Sequence, residues 1–319
     1  MTNVRPTRRS VHVLGAALLA SWALPALAQE RLAIPGTTVS LVPPKGFTTA
    51  SGFAGLQNPQ TKASILVAEL PAEAHPALTQ LFASLETAKV NFAKQNVDVA
   101  SRKELDTNAG KIPLLVGTQN SGGQSFAKWV ALFKGGKTVM ITVQSPQDAG
   151  LSATDVESML RSVSLGAEPS LEEKLGALPF AIATAEPFRI VDTIGGAGVL
   201  MTSGPLNADP SGTQPLIIVA SQLSGASGAK LDALSETLLK QTRGFSTAKI
   251  ARREATRFAA TDGYLLAGED GEGKRFEQHL ALGPDGRFVR LIAISPSAAF
   301  DTLKPAIDRV AGSIAFRGK

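Results

Sequence analysis

The sequence predicts an α+β protein of two similar domains, each an antiparallel β-sheet flanked by helices in an α/β/α sandwich. Three observations predict it: a pattern that recurs after about 150 residues, apolar residues alternating with period two in both copies, and helix-spaced apolar stripes at matching places.

The recurrence is densest where Phe126-Ala-Lys-Trp-Val-Ala-Leu132 lines up with Phe276-Glu-Gln-His-Leu-Ala-Leu282. Next, Gly136-Lys-Thr-Val139 answers Gly286-Arg-Phe-Val289, and Ile141-Thr-Val-Gln-Ser-Pro146 answers Leu291-Ile-Ala-Ile-Ser-Pro296. Ala131, Leu132, Gly136, Val139, Ser145 and Pro146 each meet an identical residue at one constant offset, with no gap.

The chain opens with Arg5, Arg8 and Arg9, then an almost wholly apolar run from Val11 to Leu24, Pro25, and the small-x-small triplet Ala26-Leu27-Ala28. This is the pattern of a cleavable export leader over residues 1–28, and the run is too short for a membrane span of ~20 residues. Cleavage near Ala28 predicts a periplasmic or secreted product. With no cysteine in the chain, neither a lipid anchor at the cleavage point nor a disulfide can form. The expected limits are a first repeat over 29–167, a linker over 168–176 and a second repeat over 177–319.

Within the first repeat, Ile65-Leu-Val-Ala-Glu-Leu70 is a near-continuous apolar run and reads as a buried strand; Ile217-Ile-Val-Ala-Ser-Gln-Leu223 is its counterpart. One long amphipathic helix is expected after each, carrying Leu78, Leu81, Phe82, Leu85 and Phe92 in the first copy and Leu231, Leu234, Leu238 and Phe245 in the second. Strands around Val97–Leu105 and Ile112–Thr118 correspond to Lys249–Thr256 and Tyr264–Ala267. A hairpin then turns at Gly135-Gly136, or at Pro284-Asp285-Gly286. In its second strand Val139, Ile141 and Val143 alternate with Met140, Thr142 and Gln144, so one face is buried. The Ser-Pro pair ends that strand, because proline cannot donate to the ladder. Helices over Asp155–Ser162 and Asp301–Ala311 close the copies. Gly166-Ala-Glu-Pro-Ser170 reads as a linker, with a short helix over Leu171–Leu178.

This order of elements resembles the PsbP-like family, on the opening segment Val39-Ser-Leu-Val-Pro-Pro-Lys-Gly-Phe47, the central helix, the hairpin Phe126–Ser145 and a terminal helix closing with serine. The resemblance spans both repeats. It implies an antiparallel sheet with helices on its faces and a binding or scaffolding role without catalysis. Glu186-Pro-Phe188 departs from the opening motif in the second copy, and a tandem pair departs from the usual single domain.

The chemical inventory is thin. Beyond the leader there are two histidines, His75 and His279, too few for a three-histidine metal site, and thiolate zinc sites are excluded. His75, before Pro76 at a helix entrance, reads as a solvated loop residue. His279 stands where the first copy has Trp129 and reads as a packing residue, with acid–base work as the alternative. No Gly-x-Ser-x-Gly elbow promotes a serine. Gly268-Glu-Asp-Gly-Glu-Gly273-Lys274 has the spacing of a phosphate loop, but Glu269, Asp270 and Glu272 would repel phosphates, and Arg275 stands where a magnesium-holding hydroxyl belongs. Gly195-Gly-Ala-Gly198 is a turn. Glu172-Glu173, and Asp98 with Glu104, read as solvated charges. No catalytic, cofactor-binding or metal residue is therefore assigned.

Three of the 32 basic residues lie in the leader, leaving 29 against 27 acidic ones, so no nucleic-acid footprint is implied. The expectation is a non-catalytic binding or accessory protein of the cell envelope, with another envelope protein as partner and no transmembrane anchor. The alternative is a periplasmic hydrolase or small-ligand carrier with a pocket at the domain interface, which exposed Trp129 or Tyr264 in a concave site would favour.

Overall fold

The computed structural model describes residues 30–317 except 122, 210, 224–229 and 284–285. The leader and the Pro284-Asp285 part of the second hairpin turn lie outside the described residues.

The first sheet is built from β1 (Thr48–Thr49), β2 (Gly55–Asn58), β3 (Ala63–Leu70), β4 (Val97–Thr107), β5 (Gly110–Ser121), β6 (Gln124–Lys134) and β7 (Thr138–Pro146). The second is built from β8 (Arg189–Ile194), β9 (Gly198–Thr202), β10 (Leu216–Leu223), β11 (Lys249–Phe258), β12 (Thr261–Glu269), β13 (Arg275–Leu282) and β14 (Arg287–Ser295). Both are seven-stranded and antiparallel, and their orders match strand for strand: β1-β2-β3-β7-β6-β5-β4 and β8-β9-β10-β14-β13-β12-β11. The two apolar runs read from the sequence, β3 and β10, lie inside their sheets, with Ile65 and Val67, and Ile217 and Val219, buried in the cores.

The correspondence extends to defects in the ladder. The β4–β5 register slips between Val99 and Ser101, and the β11–β12 register slips between Ile250 and Arg252. A glycine stands opposite each bulge. A Cβ on Gly117 would lie 2.1 Å from the Asp98 carbonyl oxygen, and one on Gly268 would lie 2.0 Å from that of Lys249.

Helices pack on both faces of each sheet. On one face of the first sheet lie α1 (His75–Leu81) and α2 (Leu85–Ala93), packing Phe82, Ala88 and Phe92 on Val99, Leu115, Val130 and Leu132. Here the structure corrects the single long helix expected from the sequence. The helix breaks after Leu81, and Ser84 caps α2 by accepting from the Thr87 amide, so the apolar stripe runs across two short helices. On the other face α3 (Ala153–Arg161), capped by Ser152, buries Val156, Met159 and Leu160 against Ile65, Val67, Ile141 and Val143. In the second sheet α5 (Leu231–Gln241) and α6 (Ser297–Ser313) take the corresponding places. The α6 helix is longer than expected, starting directly after the Ser-Pro pair.

Each half also ties its own ends together. Val39–Leu41 pairs with Leu32–Ala33 and with Ser164–Leu165, after α3, while Phe180–Ala181 pairs with Ala315–Phe316, after α6.

Between the halves, α4 (Leu171–Gly176) starts in a capping box made by Ser170 and Glu173, giving Glu173 a specific partner rather than only solvent. The buried Lys174 meets Glu168 and, at 2.9 Å, Asp192. Lys137, in the β6–β7 turn, reaches Glu168 at 2.7 Å and Asp192 at 3.3 Å. Burial opposes the Lys174 charge, but hydrogen bonds to Glu168 and Asp192 outweigh it and raise its pKa. Hydrogen bonds from Lys137 and Lys174 lower that of Glu168. Burial works against ionised Asp192, yet the bonds from Lys174 and the Thr193 amide leave its pKa lowered as well. The carboxylate contributions are present above the ordinary values of 4.5 and 3.8 and are lost as pH falls through the depressed ones. The Lys174 contribution is present below 10.5 and is lost as pH rises through its raised value. The junction is therefore tightest between about pH 5 and pH 10. Lys174→Ala is expected to cost about 1–2 kcal/mol at neutral pH, a moderate figure because Glu168 and Asp192 are half exposed. Urea unfolding at pH 7 and at pH 3.5 checks it: the parent–variant difference should shrink in acid.

Candidate functional site

The helices leave part of each sheet bare. In the first half α1 and α2 cover the side toward β4, β5 and β6, while Ser64, Leu66 and Ala68 of β3 and Thr142 and Gln144 of β7 face a cavity. In the second half Ala220 and Gln222 of β10, Phe288 and Arg290 of β14 and Leu238 of α5 face the same cavity. Its volume is about 620 Å³, within the range of small-ligand sites.

Contacts between the halves form its rim. The β8–β9 turn, read as Gly195-Gly-Ala-Gly198, packs so closely on the first half that a Cβ on Gly196 would lie 2.3 Å from the Ala54 Cβ. Beside it the buried Arg287 donates to the Ser51 carbonyl at 2.9 Å, and Gly52 and Phe53 line the cavity.

Two cations line this space, one from each half. Lys128, on β6, donates to Gln119 and, at 3.1 Å, to Gln144. Arg290, on β14, donates to Gln278 at 2.7 Å and to the Thr242 hydroxyl at 2.9 Å. Burial lowers the pKa of both, that of Arg290 to about 10. Neither has a carboxylate within ion-pairing distance among the described residues, and no acidic residue lines the cavity. Ser221 also lines it, but strand alternation places its side chain with Val219 on the opposite face, where its hydroxyl is buried without a partner.

A second cluster sits on the α6 face of the second sheet. His279 Nε2 lies 2.7 Å from Glu277 Oε1, Lys304 lies 3.4 Å from the same oxygen, and Arg252 lies 3.9 Å from Oε2. His279 packs on Phe258, which agrees with a packing role, but its pairing with a buried carboxylate was not anticipated. The signal lay in Glu277, an acid two residues before His279 on the same strand face, where the first copy has Ala127. His279 Nδ1 is buried without a partner, and neither hollow beside the dyad is lined by a hydroxyl-bearing side chain.

The remaining expected positions do not converge. His75 is the first residue of α1, at the helix entrance, with Nδ1 3.2 Å from the Thr79 hydroxyl. Trp129 is 5% exposed in the first core and Tyr264 packs against the Leu239 cluster, so neither lines the cavity. Gly268–Lys274 joins β12 to β13 through a turn in which Asp270 accepts from the Glu272 and Lys274 amides, each at 2.8 Å. Glu104 pairs with Arg102 at 2.7 Å. Among the described residues no group of three or more histidines and acids could hold a metal, and no helix is long and apolar enough to cross a membrane.

No family profile matches the chain, and no curated protein matches it in sequence. Solved structures are similar at low identity. Cyanobacterial PsbP (CyanoP) from Synechocystis sp. PCC 6803 is 14% identical, with 44% of this chain and 87% of that one covered and a TM-score of 0.34. LpqN of Mycobacterium tuberculosis, described as involved in cell envelope biogenesis, is 18% identical over 44% and 83%, with a TM-score of 0.35. The type VI secretion immunity protein TplEi of Pseudomonas aeruginosa is 10% identical over 90% and 97%, with a TM-score of 0.30.

Proposed function

We propose that this chain is an exported, non-catalytic binding protein of the cell envelope, and that it binds a small, largely apolar molecule between its two sheets. In this reading residues 1–28 are a leader, and one PsbP-like unit was duplicated to give 29–167 and 177–319, joined by 168–176. The observation that carries it is the cavity itself. Leu66, on a central strand, is 39% exposed, and Phe53, Ala68, Ala220, Leu238 and Phe288 surround the same space. Helices pack apolar residues onto the neighbouring parts of both sheets, so an apolar stretch left open at the junction suits an occupant. Between the two expectations drawn from sequence, this favours the carrier over an accessory protein that docks by a flat surface.

A neutral apolar dye tests it. N-phenylnaphthylamine is expected to bind the purified protein saturably at one site, and Ala220→Trp, which fills the cavity, is expected to weaken binding at least tenfold. Absence of saturable binding, or binding indifferent to Ala220→Trp, refutes the reading.

A further inference from the structure

We infer that the molecule held between the sheets carries an anionic head group on an apolar body, with Lys128 and Arg290 receiving the head and Leu66, Leu238 and Phe288 receiving the body. This rests on the small-ligand reading above and deepens it.

The argument begins with how the chain treats buried charge elsewhere. Lys174 is buried against Glu168 and Asp192, and Glu277 against His279, Lys304 and Arg252. In both places a charge removed from water is matched by the opposite charge, as the cost of desolvation demands. Lys128 and Arg290 break that pattern, because the groups that hold them, Gln119, Gln144, Gln278 and the Thr242 hydroxyl, are all neutral.

The other hollows sharpen the contrast. Those beside α6 contain Glu269, Glu277 and Asp301, or Asp308, and the one at α1 contains Glu104. Acids line those hollows, whereas among the described residues the junction cavity has two cations and no acid. Since the acidic and basic residues beyond the leader nearly balance, this is not a sample of a uniformly basic surface.

Placement adds direction. The glutamines fix the cations without neutralising them, leaving both charges for an incoming anion in a partly desolvated space, where such contacts are strong. Burial also holds the pKa of each cation down, and an anion beside them would reverse that effect. One cation comes from each half, so an anion that engages both would bridge the two domains. The apolar residues surround the same space, so a bare inorganic anion would leave them uncovered. At about 30 Å³ per water-sized group, the cavity takes on the order of 20 non-hydrogen atoms. A medium-chain carboxylate fits within that.

Calorimetry with decanoate, decanol, decylammonium and inorganic phosphate tests the assignment on the purified full chain. Decanoate is expected to bind one to one, at least tenfold more tightly than decanol, with decylammonium and phosphate weaker still. Lys128→Met and Arg290→Met are each expected to weaken decanoate at least tenfold while changing decanol less than threefold. Lys304→Gln, away from the cavity, should change neither, and thermal melts identify any variant that has lost its fold. Should such a loss occur, Lys128→Gln and Arg290→Gln replace those variants. Equal binding of decanoate and decanol overturns the anionic head and leaves the small-ligand reading standing. Tight binding of phosphate alone overturns the apolar body. If neither decanoate nor the neutral dye binds, both readings fail together.

Discussion

Gly268→Ala is expected to destabilise the second half by about 3–5 kcal/mol, near the upper end of single-residue effects. The added methyl would sit 2.0 Å from the Lys249 carbonyl oxygen, a backbone atom fixed by the bulged β11–β12 pairing, so no side-chain rotation relieves the clash. The ladder must open locally or slide, and sliding by one residue would carry Leu266 from the core to solvent. Gly117→Ala should cost the first half a similar amount through Asp98. Urea unfolding followed by Trp129 fluorescence in the first half and by amide exchange in both should show each substitution acting mainly on its own sheet. A loss below about 1 kcal/mol would show that the bulge tolerates a methyl group.

Glu277→Ala is expected to cost about 2–4 kcal/mol at neutral pH, since it leaves His279 buried without its acceptor and removes the one carboxylate that Lys304 and Arg252 share. Burial alone would raise the Glu277 pKa, but the hydrogen bond from His279 and the charges of His279, Lys304 and Arg252 outweigh it and lower the value. Its contribution is therefore fully present above the ordinary value of 4.5 and is lost as pH falls through the depressed one. Parent and Glu277→Ala stabilities should converge below about pH 4. Glu277→Gln, which keeps a hydrogen-bonding group, should fall between them at pH 7. A parent–Ala gap that stays constant from pH 7 to pH 3 would show that packing, not charge, is what Glu277 supplies.

Much of the fold could be read from the chain because its cues are local and repeated. Val139, Ile141 and Val143 alternate in one strand, Ser-Pro ends it, and the same marks return in β14, so strand identity and order were accessible. The break between α1 and α2 was missed because Leu78, Phe82 and Leu85 keep a helical stripe across it, and only Ser84 marks the new start. The cavity was the least accessible feature. Lys128 and Arg290 look like ordinary strand cations in sequence, and what sets them apart is that, among the described residues, distant segments bring glutamines and a hydroxyl beside them rather than acids. Glu277 was readable in principle, as an acid two residues from His279 in a strand, but its importance depends on α6 bringing Lys304 across the sheet.

The short pairings that join the beginning of each half to its own end have a consequence for how such a protein can change over time. With both boundaries fastened independently, the spacing of the two slabs is set by the connector and the few contacts beside it rather than by either interior. Changing the length of residues 166–170 would alter the gap between the slabs at the cost of the Glu168 and Ser170 contacts at the junction, while leaving both interiors untouched.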